Sequence, residues 1–182
     1  GLADGIFLAS DGNITFDNNG DWIASGYTWA AGAEVESGGV ATVNNNASFR
    51  ASASGPNARA IGIYAAGATG SIINNNGQAV ADSTGANGLA VGAWAYAVNG
   101  DASVSNTGDV YAYADNGSAF GLVAMSGDTA HANNTSYVLA QGLYAVAVTA
   151  QSAGNANVAN DGLAIAMGDA HAEALLAISN GG

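Results

Sequence analysis

The chain has 182 residues and a formal charge of −12, with fourteen acids set against Arg50 and Arg59, no Lys and no Cys. That balance excludes a nucleic-acid surface, which needs a basic stripe, disfavours anionic membranes, and rules out a disulfide framework or a thiolate metal site. Charged residues make up only 9% of the chain and hydrophobic residues 49%, many of them Ala, while Gly fills 27 positions and Pro one. The core is therefore thin, made of small side chains and interrupted by many tight turns. No apolar run reaches the roughly 18 residues of a membrane span, so no membrane insertion is expected. Gly1-Leu2-Ala3 lacks a basic n-region, so the chain reads as a mature or excised segment.

One phrase recurs along the chain: an apolar residue, any residue, Asn, any residue, then a small residue. Its Asn positions are Asn18, Asn45, Asn75, Asn106, Asn134, Asn160 and Asn180, spaced by 27, 30, 31, 28, 26 and 20 residues. Self-similarity at that period marks stacked supersecondary units. The repeat runs through residues 1–182 as one domain, with 1–15 a partial first coil and 178–182 a partial last one.

The coil that starts at Asn106 shows the internal plan. Ser103-Val104-Ser105-Asn106 alternates and Thr107-Gly108-Asp109 turns. Val110 to Ala114 alternates again, Asp115-Asn116-Gly117 turns, and Ala119 to Met125 forms a third run closed by Ser126-Gly127-Asp128. Three period-two runs with Gly, Asn and Asp corners predict one coil of a parallel, three-sided β-solenoid. About six coils of 26–31 residues follow. An α-solenoid would need longer segments with helical spacing, without such frequent Gly.

Strand parity sorts inside from outside. Six residues past each Asn stands an Ala: Ala24, Ala51, Ala81, Ala112, Ala140 and Ala166. Four residues past it stand Trp22, Phe49, Ala79, Val110, Val138 and Ala164. Both columns are assigned to the interior, because the column between them contains Arg50, whose charge cannot stay unpaired in a narrow apolar core. Parity then buries the anchoring Asn as well. One buried amide per coil satisfies itself by bonding to its copies above and below, an internal Asn ladder. The competing role is a corner residue that tolerates left-handed backbone; the Gly two positions later already supplies the turn, which favours the ladder.

The third run carries Ala-x-Gly before apolar residues, at Ala60-x-Gly62, Ala90-x-Gly92 and Ala119-x-Gly121, with looser copies from Ala24, Ala140 and Ala166. In the coils from Asn18, Asn134 and Asn160 the Gly follows the Asn by only 8 residues, so second and third runs are expected to merge there. Gly62-Ile63-Tyr64-Ala65 leading into Ile73-Asn74-Asn75-Asn76-Gly77, and Val104-Ser105-Asn106-Thr107-Gly108-Asp109-Val110, resemble the degenerate repeats of autotransporter and filamentous-haemagglutinin-like passenger regions. That resemblance implies a secreted β-solenoid, extracellular or on a bacterial cell surface, serving as stalk, adhesin or filament. A translocator barrel and a secretion domain are not part of the matching stretch.

Two surfaces follow from the register. Matching third runs by their Gly aligns Thr28, Tyr64, Trp94, Val123 and Tyr144 in one outward column and Ala66, Tyr96, Met125 and Val146 in the next. Tyr64, Trp94, Tyr96, Val123, Met125 and Tyr144 thus form a candidate contact face for self-association, a host surface or a carbohydrate. The competing reading swaps inside and outside, or covers the strip with loops. At the ends, Ala3-x-Gly5-Ile6 copies the third-run motif, so the chain is expected to enter at a third run and leave after a first. Copies would then stack end to end through Gly5, Ile6, Phe7, Ile178 and Asn180, each N-terminal strand completing its neighbour's last coil. The competing reading is an excised stalk segment of a larger surface adhesin.

Catalytic residues are not expected: the nearest carboxylates, Asp11, Asp17 and Asp21, sit beside turns. Asp17-x-Asn19-x-Asp21 opens like an oxygen-rich Ca²⁺ loop, but Trp22 occupies the expected Gly position and no acid closes it. No other cofactor is expected. His131 and His171 read as outward strand residues. The positions flanking each Asn, from Asp17/Asn19 to Ala159/Asp161, form a flat polar ladder that admits an ice-binding role.

Overall fold

The alternating runs form strands that stack coil on coil, and the computed structural model describes residues 1–180 as fifteen strands with no helix. The first face of the stack is a six-stranded parallel sheet of β2 (Ile14–Asn18), β5 (Val40–Asn45), β8 (Gly70–Asn75), β10 (Asp101–Asn106), β12 (Thr129–Asn134) and β14 (Asn155–Asn160). The second face begins with β3 (Trp22–Gly26) and β6 (Ser48–Ala53), and the third with β1 (Leu2–Ser10), β4 (Trp29–Ser37) and β7 (Arg59–Gly67). In the later coils one strand runs through both faces: β9 (Gln78–Ala97), β11 (Asp109–Ser126), β13 (Tyr137–Ser152) and β15 (Leu163–Ser179). All pairings are parallel, and each strand pairs with its counterpart in the next coil. The β-solenoid of six coils is as the repeat predicts.

Second and third runs merge as expected in the coils from Asn134 and Asn160, but merging does not track the short Asn-to-Gly spacing. The coil from Asn18 keeps β3 and β4 apart, whereas those from Asn75 and Asn106 merge. The corner survives inside the merged strands as register shifts, between Tyr113 and Ser118 and between Gly142 and Tyr144.

The interior has two compartments. The wider one holds Phe49, Ile63, Ile73, Val104, Val110, Leu122, Val138 and Val148, all fully buried. Each such side chain contributes roughly 1.5–3 kcal/mol. At the corner between second and third faces the sheets converge, and only Ala fits: Ala51, Ala60, Ala81, Ala90, Ala112, Ala119, Ala140 and Ala145 fill it. This is the physical origin of the Ala column.

Close approach also explains the third-run Gly. A Cβ added at Gly32 would stand 2.5 Å from the Gly62 carbonyl oxygen and 2.8 Å from the Phe49 Cβ. The pairings of Phe120 with Val146 and Leu122 with Val148 place Ala147 where earlier coils have this Gly. Gly142, by contrast, sits at the corner between second and third faces, so aligning coils by Gly142 shifts the column.

The third-to-first corner is held by serine. Ser37, Ser126 and Ser152 each accept the N–H two residues on, at 3.0, 2.8 and 2.9 Å. The same hydroxyls donate back to a carbonyl of the preceding coil, at Gly12, Gly100 and Asp128. Each Ser thus fixes its own turn and ties it to the layer before.

The phase of the last coil differs from expectation. Ile178 pairs with Gln151 and Ser179 with Ser152, so the stretch of the seventh phrase continues the third face. A gap of 20 residues after Asn160 is too short to complete a coil and begin another. Residues 178–180 are therefore not the start of a further coil; Gly182 of that phrase lies outside the described residues.

Candidate functional site

The Asn ladder is continuous through six coils. Asn18 Nδ2 donates to Asn45 Oδ1 at 2.7 Å, Asn45 to Asn75 at 2.7 Å, Asn75 to Asn106 at 2.7 Å, Asn106 to Asn134 at 2.8 Å and Asn134 to Asn160 at 2.8 Å. The first five amides are at most 1% exposed. Asn75, Asn106, Asn134 and Asn160 also donate to the local turn, as from Asn106 to Gly108 O at 2.8 Å, and Asn45 to Gln78 O of the next coil, so these amides are satisfied without water. Asn180 is not a rung: it is exposed, and its backbone N–H donates to Ser152 O at 3.0 Å on the third face.

Two outer ladders flank the inner one over the first coils. Asn44 Nδ2 donates to Asp17 Oδ1 at 2.7 Å, and Asn74 to Asn44 at 2.8 Å. On the other side Asn46 donates to Asn19 at 3.2 Å, Asn76 to Asn46 at 3.0 Å, and the Thr107 hydroxyl to Asn76 at 2.8 Å. These bonds engage oxygens of Asp17 and Asn19, two of the three candidate Ca²⁺ ligands with Asp21. Among the described residues no group of three acidic, His or Cys side chains is placed to hold a metal ion. His131 faces outward between Ser103 and Asn157, and His171 Nε2 lies 3.3 Å from Glu173 Oε1.

Because the inner-ladder amides from Asn18 to Asn134 each donate toward the next coil, that ladder is polar and its two ends differ. At the N-terminal end Asn18 Oδ1 accepts the Trp22 indole N–H at 3.0 Å. Trp22 occupies an inward register position over Phe49 yet remains 38% exposed, lying across the open end of the core. At the other end Asn160 donates to Gly162 O at 2.9 Å, and among the described residues β14 is the last strand of its sheet. The indole's role depends on the direction of the ladder, which leaves the Asn18 oxygen as its acceptor, and the repeat pattern does not give that direction.

The end layers also differ in bulk. The N-terminal layer presents Leu8, Ile14, Phe16 and Trp22 inward, while the same columns finish at Ala177, Ala156, Val158 and Ala164; the inward column from Ile6 to Leu175 keeps its bulk at both ends. Gly5, Ile6 and Phe7 lie on edge strand β1 and Ile178 on edge strand β15, so four of the five expected interface residues do border the open ends.

The third face bears an apolar strip on its outside. Tyr64 pairs with Trp94 and Trp94 with Val123; Ala66 pairs with Tyr96 and Tyr96 with Met125, as expected. Ile61, Val91 and Val123 are no more than 7% exposed, covered by Trp29, Tyr64, Leu89, Trp94, Phe120 and Met125. The Tyr64 and Trp94 rings meet edge-on at 5.4 Å. The Trp94 indole N–H is enclosed and finds no hydrogen-bond partner among the described residues. A groove of about 310 Å³ continues this strip to Leu176 and Ile178.

Tyr144 does not belong to the strip. It pairs with Ser118 and His171, and the column through Val123 continues to Thr149 instead. Likewise Glu34 takes the place expected for Thr28, and Gln151 that expected for Val146. Both shifts come from aligning on the wrong corner Gly.

The strip ends among acids. Trp29 Nε1 donates to Asp4 Oδ1 at 3.0 Å, and Glu34 stands beside Asp4 and Glu36. Partial burial, with those two charges, holds the Glu34 carboxyl above its ordinary range, and the Trp29 indole offsets part of the rise. Asp82 on the second face is raised by burial and by Asp115, against the lowering effect of Arg50.

No family model, curated protein or solved structure matches this chain. Its ends and faces are what bear on function.

Proposed function

We propose that the chain is a structural β-solenoid module that lengthens into a filament by stacking copies head to tail. The observation that carries this reading is the complementarity of the two end layers. The C-terminal layer is lined by Ala156, Val158, Ala164 and Ala177, and the N-terminal layer by Ile14, Phe16, Trp22 and Leu8 in the same columns; the column from Ile6 to Leu175 is bulky at both ends. A second copy would set its bulky layer over the small one. Its Asn18 would offer an acceptor to the Asn160 amide, in exchange for the Trp22 indole. Strand-edge pairing of this kind takes its affinity from backbone hydrogen bonds and its specificity from alternate side chains.

The phase of the coils changes how such stacking works. The last coil already has its third run in β15, so β1 would not complete it; β1, β2 and β3 would instead lie on β15, β14 and the start of β15 as a whole layer. Six coils at about 4.8 Å each add roughly 29 Å per copy. A place outside a bacterial cell rests on the resemblance of the repeats to passenger regions.

A second reading is adhesive contact through the third face, favoured by the apolar cluster around Trp94. Val158→Asp tests the first reading. It places a charge on the inward side of the C-terminal layer and should abolish concentration-dependent sedimentation while the circular dichroism stays unchanged. A wild-type chain that remains monomeric at all concentrations would overturn it.

A further inference from the structure

On the outside of the second face, Tyr111, Tyr113 and Tyr137 form an aromatic platform that neither the coil repeat nor the interior explains. The Tyr111 and Tyr113 rings are 6.2 Å apart and within 13° of parallel, and Tyr137 of the next coil lies 5.5 Å from Tyr111, tilted 44° to it. The residues beside them in the strand, Val110, Ala112 and Val138, fill the core from the opposite side of the sheet. The rings are only partly buried, so they contribute little to folding compared with that interior column.

Next to the platform the register shift between Gly142 and Tyr144 opens a cleft of about 570 Å³. Tyr113 is one wall, Gly142 and Met167 line it, and Asp115, Gln141 and Asp169 supply polar groups. Clustered aromatic rings leading into a cleft rich in hydrogen-bond acceptors match one ligand chemistry in particular. A pyranose with equatorial hydroxyls presents its C–H bonds on both ring faces, which stack on the electron-rich face of an aromatic ring. Its hydroxyls, on the rim, donate to carboxylates and amides.

We propose that this platform and cleft bind a neutral polysaccharide of equatorially substituted hexopyranoses. The rings span two coils, so more than one sugar unit is in reach. The acids around the site repel anionic glycans and nucleic acids, and a small number of polar groups beside an apolar wall is what orients a ligand. The Tyr111 and Tyr113 phenols, raised by burial and by nearby acids, stay protonated and add donors.

The test is native affinity electrophoresis of the whole chain through gels containing hydroxyethyl cellulose, with dextran sulfate and glycol chitosan as anionic and cationic probes. Hydroxyethyl cellulose should retard the wild-type chain. Tyr111→Ala/Tyr113→Ala should weaken that retardation at least tenfold with an unchanged circular dichroism spectrum, and Tyr111→Phe/Tyr113→Phe should keep most of it. Should the Ala variant fail to fold, the single variant Tyr113→Ser takes its place and should also lose retardation. No retardation of the wild type by hydroxyethyl cellulose, or equal retardation of the Ala or Ser variants, would overturn the proposal. Retardation by glycol chitosan alone would also overturn it, as the mark of a merely acidic surface.

Discussion

Replacing Asn45 with Ala removes one rung from the middle of the ladder. Asn45 accepts from Asn18 Nδ2 at 2.7 Å and donates to Asn75 Oδ1 at 2.7 Å and to Gln78 O at 3.1 Å. Two ladder bonds are worth about 1 kcal/mol each net, and stranding the Asn75 oxygen in the interior costs roughly 1–3 kcal/mol more. The total is about 3–5 kcal/mol, a large part of the stability of a domain this size. Its neighbour Asn44 makes the same two kinds of bond, to Asp17 and Asn74, but on the outer side of the sheet. Water replaces its partners there, so Asn44→Ala should cost under about 1 kcal/mol. Urea unfolding followed by far-ultraviolet circular dichroism, with both variants and the wild type at one protein concentration, reads the difference. Equal midpoints for the two variants would refute the reasoning, because stability would then not depend on burying the amide.

Gly32→Ala should destabilise by about 1–3 kcal/mol as the Gly62 carbonyl and Phe49 are pushed aside, measured by the same unfolding. Glu34, whose folded pKa is raised, stabilises most when protonated: its contribution is present below the ordinary Glu value of 4.5 and is lost as pH rises through the folded value. Glu34→Gln should therefore flatten the fall in thermal midpoint between acid and neutral pH, and an unchanged slope would contradict that origin. Tyr64→Ser/Trp94→Ser/Tyr96→Ser should reduce adhesion to hydrophobic surfaces and particles while leaving end-to-end sedimentation intact; unchanged adhesion would remove the third face as a contact surface.

Features that repeat once per coil are legible in the sequence. The Asn rungs, the Ala column and the inward series from Trp22 to Ala164 follow from parity, because a one-residue slip would turn Arg50 inward. Features that depend on position within the stack are not. Asn180 sits in the right phrase but on the wrong face, since the phrase records local alternation and carries no phase. Thr28 and Tyr144 fall on the third-face strip only when coils are aligned by Gly, because two unlike Gly, one at a close approach of sheets and one at a corner, look identical in sequence. Trp22 as an end cap requires knowing which way the amides donate, since only that direction leaves the Asn18 oxygen for its indole. The platform is visible in outline as Tyr111-x-Tyr113, two residues on one side of a strand, but the contribution of Tyr137 from the next coil needs the register.

The most direct test of head-to-tail stacking uses two outward positions that meet only in that arrangement. Asp17 and Ala159 are the first and last members of one column on the first face, so stacked copies bring Ala159 of one within about 4.8 Å of Asp17 of the next. The chain has no native Cys, so Asp17→Cys/Ala159→Cys treated with a short bismaleimide reports this contact alone. Head-to-tail stacking predicts a ladder of covalent oligomers from the double variant and none from either single variant. Dimers from Ala159→Cys alone, or a double variant that stays monomeric at high concentration, would contradict it.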